Sequence, residues 1–197
     1  MASPSVREAR VSQQRLCVFC GSAMSESERY RAAASALGRL IGEAGIELVY
    51  GGGRIGLMGL LADAALAAGA RVTGVIPIAL HDREVAHRAL SELIVVPDMQ
   101  ERKRRMFELA DAVAVLPGGL GTLDEAFEAI TLRQLGLSAA PVTLVNIDGF
   151  WDPLVALIDR TMAEGFTRRE ARNLYRVVAE AAEVIPACFG PIPRAEL

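Results

Sequence analysis

Lysine is almost missing from this sequence: Lys103 is the only one, and every other basic side chain is arginine. No glycine loop is followed by G-K-S or G-K-T, which excludes a P-loop. Cysteine is scarce too. Cys17, Cys20 and Cys188 are odd in number and irregularly spaced, which excludes the disulfide framework of a small secreted domain. The two histidines, His81 and His87, have no Cys/His ligand set around them, and no serine sits in a nucleophile elbow. Neither a metal site nor a Ser-His-Asp triad is expected. A basic excess is also lacking: the formal net charge is −3, so the chain has no electrostatic footprint for nucleic acid. No apolar run approaches the roughly 20 residues of a membrane helix. Residues 1–14 are polar and carry no apolar signal-peptide core. These absences predict a cytoplasmic protein without nucleic-acid or membrane partners. A frayed tail is expected over 1–14, one domain over 15–190 and a short tail over 191–197.

What is present is an alternation of short apolar runs with helical periods. Strands are expected at 16–20, 47–50, 72–76, 92–96, 112–116 and 142–146, with a short further one at 175–179. Helices are expected at 26–43, 56–68, 99–110, 123–135 and 153–163, with a closing helix from Glu180 onward; 78–88 reads as a loop. Strands alternating with helices imply right-handed crossovers and a parallel sheet. The strands are nearly unbroken apolar runs, as a sheet covered on both faces requires. The fold class is therefore α/β: a single doubly wound, Rossmann-like domain with a sheet of about six or seven strands. Cys17 and Cys20 form a C-x-x-C within the first strand. Their odd separation points the thiols to opposite faces, so both are expected to be buried structural cysteines rather than a redox pair.

Ligands of such sheets bind at the carboxyl ends of the strands, near a topological switch point. Three glycine-rich turns follow strands here: Gly21-Ser22, Gly51-Gly52-Gly53 and Gly118-Gly119. The run from Gly51 to Gly56 fits G-x-G-x-x-G, but the acid that a dinucleotide needs about 20 residues on is replaced by Val75-Ile76-Pro77. Close backbone approach to another ligand, or tight helix–sheet packing, remains. The run Pro117-Gly118-Gly119-Leu120-Gly121-Thr122-Leu123-Asp124-Glu125 ends a strand and opens a helix. Exposed amides at a helix start make an anion site. Thr122 and Glu125 also fit a capping box, which needs no ligand, although it leaves the three glycines unexplained. In Met99-Gln100-Glu101-Arg102-Lys103-Arg104-Arg105, cations crowd a helix start and oppose its dipole, a conflict that a bound anion would offset. The alternative is a solvated basic face. Arg83-Glu84, flanked by the histidines, reads alone as a surface pair.

Taken together, P-G-G-x-G-T-x-x-E, the upstream E-R-K, Cys20-Gly21-Ser22 and G-G-G-x-x-G-L-M-G resemble the LOG-type (Lonely Guy) cytokinin riboside 5′-monophosphate phosphoribohydrolases. The resemblance spans about residues 16–182. It implies cleavage of the N-glycosidic bond of a nucleoside 5′-monophosphate, with release of free base and ribose 5-phosphate. It further implies no cofactor and a homodimer with sites near its interface. Arg102 and Glu125 match the residues on which activity depends. Arg83 and Glu84 match a loop pair that helps form the site; Lys103, the segment from Gly119 to Glu125 and Thr131 match substrate-binding positions. Gly21, Ser22, Gly52, Gly53 and Gly118, in the glycine turns, are expected at the same site. Asp124 departs from the glutamate frequent in plant members but keeps the charge.

Such sequences have also carried a lysine decarboxylase label. A pyridoxal enzyme needs a Schiff-base lysine and a partner for the pyridinium nitrogen. The sole candidate, Lys103, lies in a basic run beside the glycine loop, which argues against that label. Glycosidic cleavage, by contrast, builds positive charge on the ribose, which a carboxylate such as Glu125 stabilises while the remote phosphate positions the sugar. The alternative is a non-catalytic nucleotide or cofactor carrier, which needs the glycine loop but neither Glu125 nor Arg102.

Overall fold

The computed structural model describes residues 13–81 and 86–190. The expected tails up to residue 12 and over 191–197, and the pair Arg83 and Glu84, lie outside the described residues. Gln13 and Gln14, counted with the first tail, are tied down: the Gln13 side chain donates to Gly45 O, and Gln14 O accepts from Glu47 N.

Seven strands form one sheet: β1 (Arg15–Phe19), β2 (Glu47–Tyr50), β3 (Val72–Pro77), β4 (Glu92–Val96), β5 (Ala112–Val115), β6 (Val142–Val145) and β7 (Arg176–Val178). Their order is β4-β3-β2-β1-β5-β6-β7, and every pairing is parallel. The chain winds outward from β1 to β4, then returns to start the second half at β5. The switch point therefore lies between the carboxyl ends of β1 and β5, where neighbouring connections leave toward opposite faces.

Helices cover both faces. Side chains of α1 (Glu28–Glu43), α2 (Gly56–Ala67) and a late helix, Val184–Phe189, pack with Leu16, Val18, Leu48 and Tyr50 in one core layer. On the other face, α4 (Met99–Leu109), α5 (Leu120–Gln134) and α6 (Asp152–Ala163) pack with Cys17, Phe19, Val49 and Val113. Of the α1 positions that carry the helical spacing, Ala33, Leu37 and Ile41 are buried, and Leu40 packs against the same layer partly exposed. Fully burying a side chain such as Leu48 or Leu61 contributes roughly 1.5–3 kcal/mol each. The alternation of β1 sends Cys17 into one layer, and Cys20, just past the strand, into the other; both are buried and free.

Two stretches differ from the sequence pattern. The expected loop over 78–88 opens with a single helical turn, α3 (Ile78–His81), whose four residues bury none of their side chains and so leave no apolar period to read. The helix expected from 123 starts at Leu120, with Gly119 as its N-cap. Thr122 and Glu125 thus stand inside the helix rather than forming a capping box. No helix among the described residues is long and apolar enough to cross a membrane.

Candidate active site

The carboxyl ends of β1, β2 and β3 meet the first turns of α4 and α5 around a cavity of about 380 Å³. This size lies within the range of small-ligand pockets. All three glycine turns reach it, through Ser22, Gly51, Gly53 and Gly119. Arg102, Leu120, Gly121, Thr122 and Glu125 complete the polar side, and Ile55, Met58, Ile76, Leu80 and Met99 make an apolar wall.

Arg102 is the centre of the arrangement. Asp98 caps α4, accepting from Glu101 N at 2.8 Å, and the next residue turns inward to become 7% exposed. Arg102 Nε donates to Val75 O at 3.1 Å and Nη2 to Gly51 O at 3.2 Å. One acceptor carbonyl lies within β3 and the other just past β2, so the backbone on the carboxyl side of the sheet fixes the guanidinium. A Cβ at position 51 would stand 1.7 Å from Nη2. The first glycine of the G-G-G run therefore makes room for an arginine, and the tight-packing reading of that run holds at this position. Gly52 takes φ +73, the left-handed region that glycine favours.

The third arginine donor, Nη1, lies 3.4 Å from Glu125 Oε1. Glu125 is 6% exposed and borders the cavity. Burial pushes its carboxyl up to about 7, against the opposing pull of Arg102. Near neutral pH this group is poised between its two protonation states, the condition in which a carboxyl works as an acid or base.

The start of α5 faces the same cavity. Leu120, Gly121 and Thr122 occupy its first three positions, whose amides have no intrahelical acceptor. Gly119 brings no side chain to cap them. Gly118 packs against the helix: a Cβ there would meet Thr122 Oγ1 at 2.2 Å. Gly21 N–H donates to Pro117 O at 3.1 Å, joining the turns of β1 and β5 across the switch point.

Of the other sequence-predicted residues that the structure describes, none lines this cavity. Lys103 points between α4 and α5, its Nζ 2.8 Å from Asp124 Oδ2 and 2.7 Å from Glu128 Oε2. Burial pulls its pKa down, yet hydrogen bonds to these carboxylates outweigh that and hold it above the usual lysine value. A Schiff-base lysine needs the opposite shift, so this ammonium does not fit pyridoxal. Leu123 packs into the second core layer, and Thr131 is exposed on α5. Arg104 and Arg105 are exposed and paired with Glu101 and Glu108. The Val75 carbonyl leaves no trace in a sequence, since every residue has one; the apolar wall is also unforeseen.

The family described as "Possible lysine decarboxylase" matches residues 58–188. A rice (Oryza sativa subsp. japonica) protein named cytokinin riboside 5′-monophosphate phosphoribohydrolase LOG is 44% identical over 190 residues, 96% of this chain and 78% of that one. An Arabidopsis thaliana phosphoribohydrolase of the same name series is 40% identical over 189 residues, 96% of this chain and 89% of that one. Among solved structures, the molybdenum cofactor binding protein of Rippkaea orientalis superposes with a TM-score of 0.69 at 22% identity, covering 89% of this chain and 94% of that one. That likeness, at such low identity, concerns the fold. Sequence identity of this extent, carried along nearly the whole chain, establishes that the chain belongs to the LOG-type family of cytokinin riboside 5′-monophosphate phosphoribohydrolases.

Proposed function

We propose that this chain hydrolyses the N-glycosidic bond of cytokinin riboside 5′-monophosphates, or of related nucleoside 5′-monophosphates such as AMP. The observation that carries the reading is the buried Glu125–Arg102 pair in the wall of a cavity that also receives the free amides of a helix start. The amides of Leu120, Gly121 and Thr122, with the Ser22 turn, suit the 5′-phosphate. The apolar wall suits the base. Held by its phosphate, the ribose presents C1′ to Glu125. As the C1′–N bond breaks, its electrons leave with the base and positive charge builds on the sugar, next to the carboxylate. Water adds at C1′, giving ribose 5-phosphate, and a proton reaches the departing base.

A carrier on the same fold would need the glycine turns but no buried ion pair aimed at the ligand. We also propose a homodimer, cytoplasmic and without nucleic-acid partners. Leu120 and Phe127 on α5 and Leu135 at its C-cap, 85%, 40% and 64% accessible, are exposed together with Thr131. A second copy seated there would cover these side chains at the rim of the site.

The test is a panel of nucleosides and their 5′-monophosphates, assayed by chromatography for released base. Release from the monophosphates and none from the nucleosides is expected. Equal turnover of both sinks the assignment. Tight binding with no release from any member favours the carrier.

A further inference from the structure

His87 is among the buried titratable side chains that this chemistry leaves unused. His87 is 7% exposed, and both ring nitrogens are engaged. The Ala89 N–H donates to Nδ1 at 3.2 Å, and Nε2 lies 2.9 Å from Asp63 Oδ1 on α2. A nitrogen that accepts from an amide carries a lone pair, so the ring proton sits on Nε2 and is donated to the carboxylate. The same residue's backbone faces the glycine turn. His87 N–H donates to Gly52 O at 2.9 Å, and Ala86 bridges Gly53 in antiparallel fashion. From the other side, Tyr50 OH donates to Gly53 O at 3.1 Å. The turn gripped in this way presents Gly51 O to Arg102.

We infer that His87 is a positioning residue: by tying its own backbone to α2 through Asp63, it fixes the 51–53 turn and, through Gly51 O, the Arg102 guanidinium beside Glu125. Its kinetic consequence rests on the hydrolase reading; its electrostatic consequence at Glu125 does not. The other charged groups bordering the same surface hollow are Arg54 and Arg88. Asp63 is 70% exposed, so the tie is of modest strength.

The experiment uses three His87 variants and two readouts. His87→Gln keeps a distal donor for Asp63. His87→Asn keeps only an acceptor for the Ala89 amide. His87→Gln is expected to behave as wild type. His87→Ala, His87→Asn and Asp63→Ala should each lose kcat by roughly three- to tenfold, the equivalent of one modest hydrogen bond, with KM little changed. Adding Asp63→Ala to His87→Ala should cost nothing more. The second readout is a ¹³C titration of the Glu125 carboxyl, assigned by the loss of its signal in Glu125→Gln. Its midpoint should move to higher pH in His87→Ala, because a loosened Arg102 opposes protonation less, and should stay in place in His87→Gln. If the wild type releases no base, the hydrolase reading falls and the titration alone decides the inference. His87→Ala that melts earlier but leaves the titration unmoved overturns it. If His87→Ala does not fold, the surface change Asp63→Ala carries the same comparison.

Discussion

Arg102 Nη1 stands 3.4 Å from Glu125 Oε1, while the Nε and Nη2 of the same guanidinium donate to Val75 O and Gly51 O at 3.1 and 3.2 Å. The arginine is held by the backbone of β3 and of the turn after β2, and only meets the glutamate. Its position therefore does not depend on the charge of Glu125, and it can stay in place while that carboxyl changes protonation state.

Replacing Arg102 should therefore harm turnover more than stability. Arg102→Ala is expected to lose activity by about 100-fold or more. Arg102→Lys should also be impaired, because an ammonium cannot reach two carbonyls and a carboxylate in one plane. Arg105→Ala removes only an exposed pair with Glu108 at 3.3 Å and should stay within about twofold of wild type. Steady-state kinetics on the three variants decide it. Equal damage from Arg105→Ala and Arg102→Ala would mean that the basic run acts as one electrostatic patch.

Glu125 gives a prediction in pH. Acting as a carboxylate, it should make kcat/KM rise with pH through a midpoint near 7, the value to which burial pushes it. Stability should move the other way. The folded pKa is raised above the unfolded one, so the contribution of this group is fully present below about 4.5 and lost as pH rises through about 7. Glu125→Gln removes the charge that is costly to bury. It should be nearly inactive yet more stable than wild type at pH 8, by on the order of a few kcal/mol, with no gain at pH 4. Thermal melts at both pH values check this; a wild-type rate in Glu125→Gln would remove the residue from the mechanism.

Gly51→Ala tests the cradle without touching a charge. The new methyl would occupy the place of Nη2, 1.7 Å away, so the guanidinium must leave Gly51 O. A loss approaching that of Arg102→Lys is expected, with KM and kcat both affected. An active Gly51→Ala enzyme would show that Arg102 tolerates a different seat.

Lys103 is expected to bind no pyridoxal. Incubation with pyridoxal phosphate should give no absorbance band that disappears in Lys103→Met, and neither lysine nor arginine should be decarboxylated. The reason is the ammonium's double contact with Asp124 and Glu128, which stabilises the protonated form. A band lost in Lys103→Met would overturn this.

Much of the fold is legible from apolar runs, because strands covered on both faces have little freedom of composition. β2 and β6, buried throughout, fall where the pattern puts them. Strand order is not legible, since nothing local in β5 says that it returns beside β1. The start of α5 misleads for a physical reason. T-x-x-E at 122–125 has the form of a cap, whereas the actual cap, Gly119, has no side chain to announce itself. The same three-residue shift carries Thr122 and Glu125 into the cavity wall. Arg102 stands out by sequence pattern and by geometry alike. Lys103, grouped with it by motif, faces the carboxylates of α5, because neighbouring helical positions point about 100° apart.

The thiol of Cys17 in the first strand and that of Cys20 just past it sit on opposite sides of the sheet, Cys17 beneath α4 and α5, Cys20 beneath α1 and α2. Burial raises the pKa of both; Cys17 stays shielded while its helical layer is closed, whereas Cys20 also borders the site cavity. Cys17 is thus a built-in reporter for its helical layer, and Cys20 for the cavity. Labelling of Cys17 by a thiol reagent under mild denaturant would time the opening of its layer, and protection of Cys20 by a nucleoside 5′-monophosphate would report occupation of the cavity.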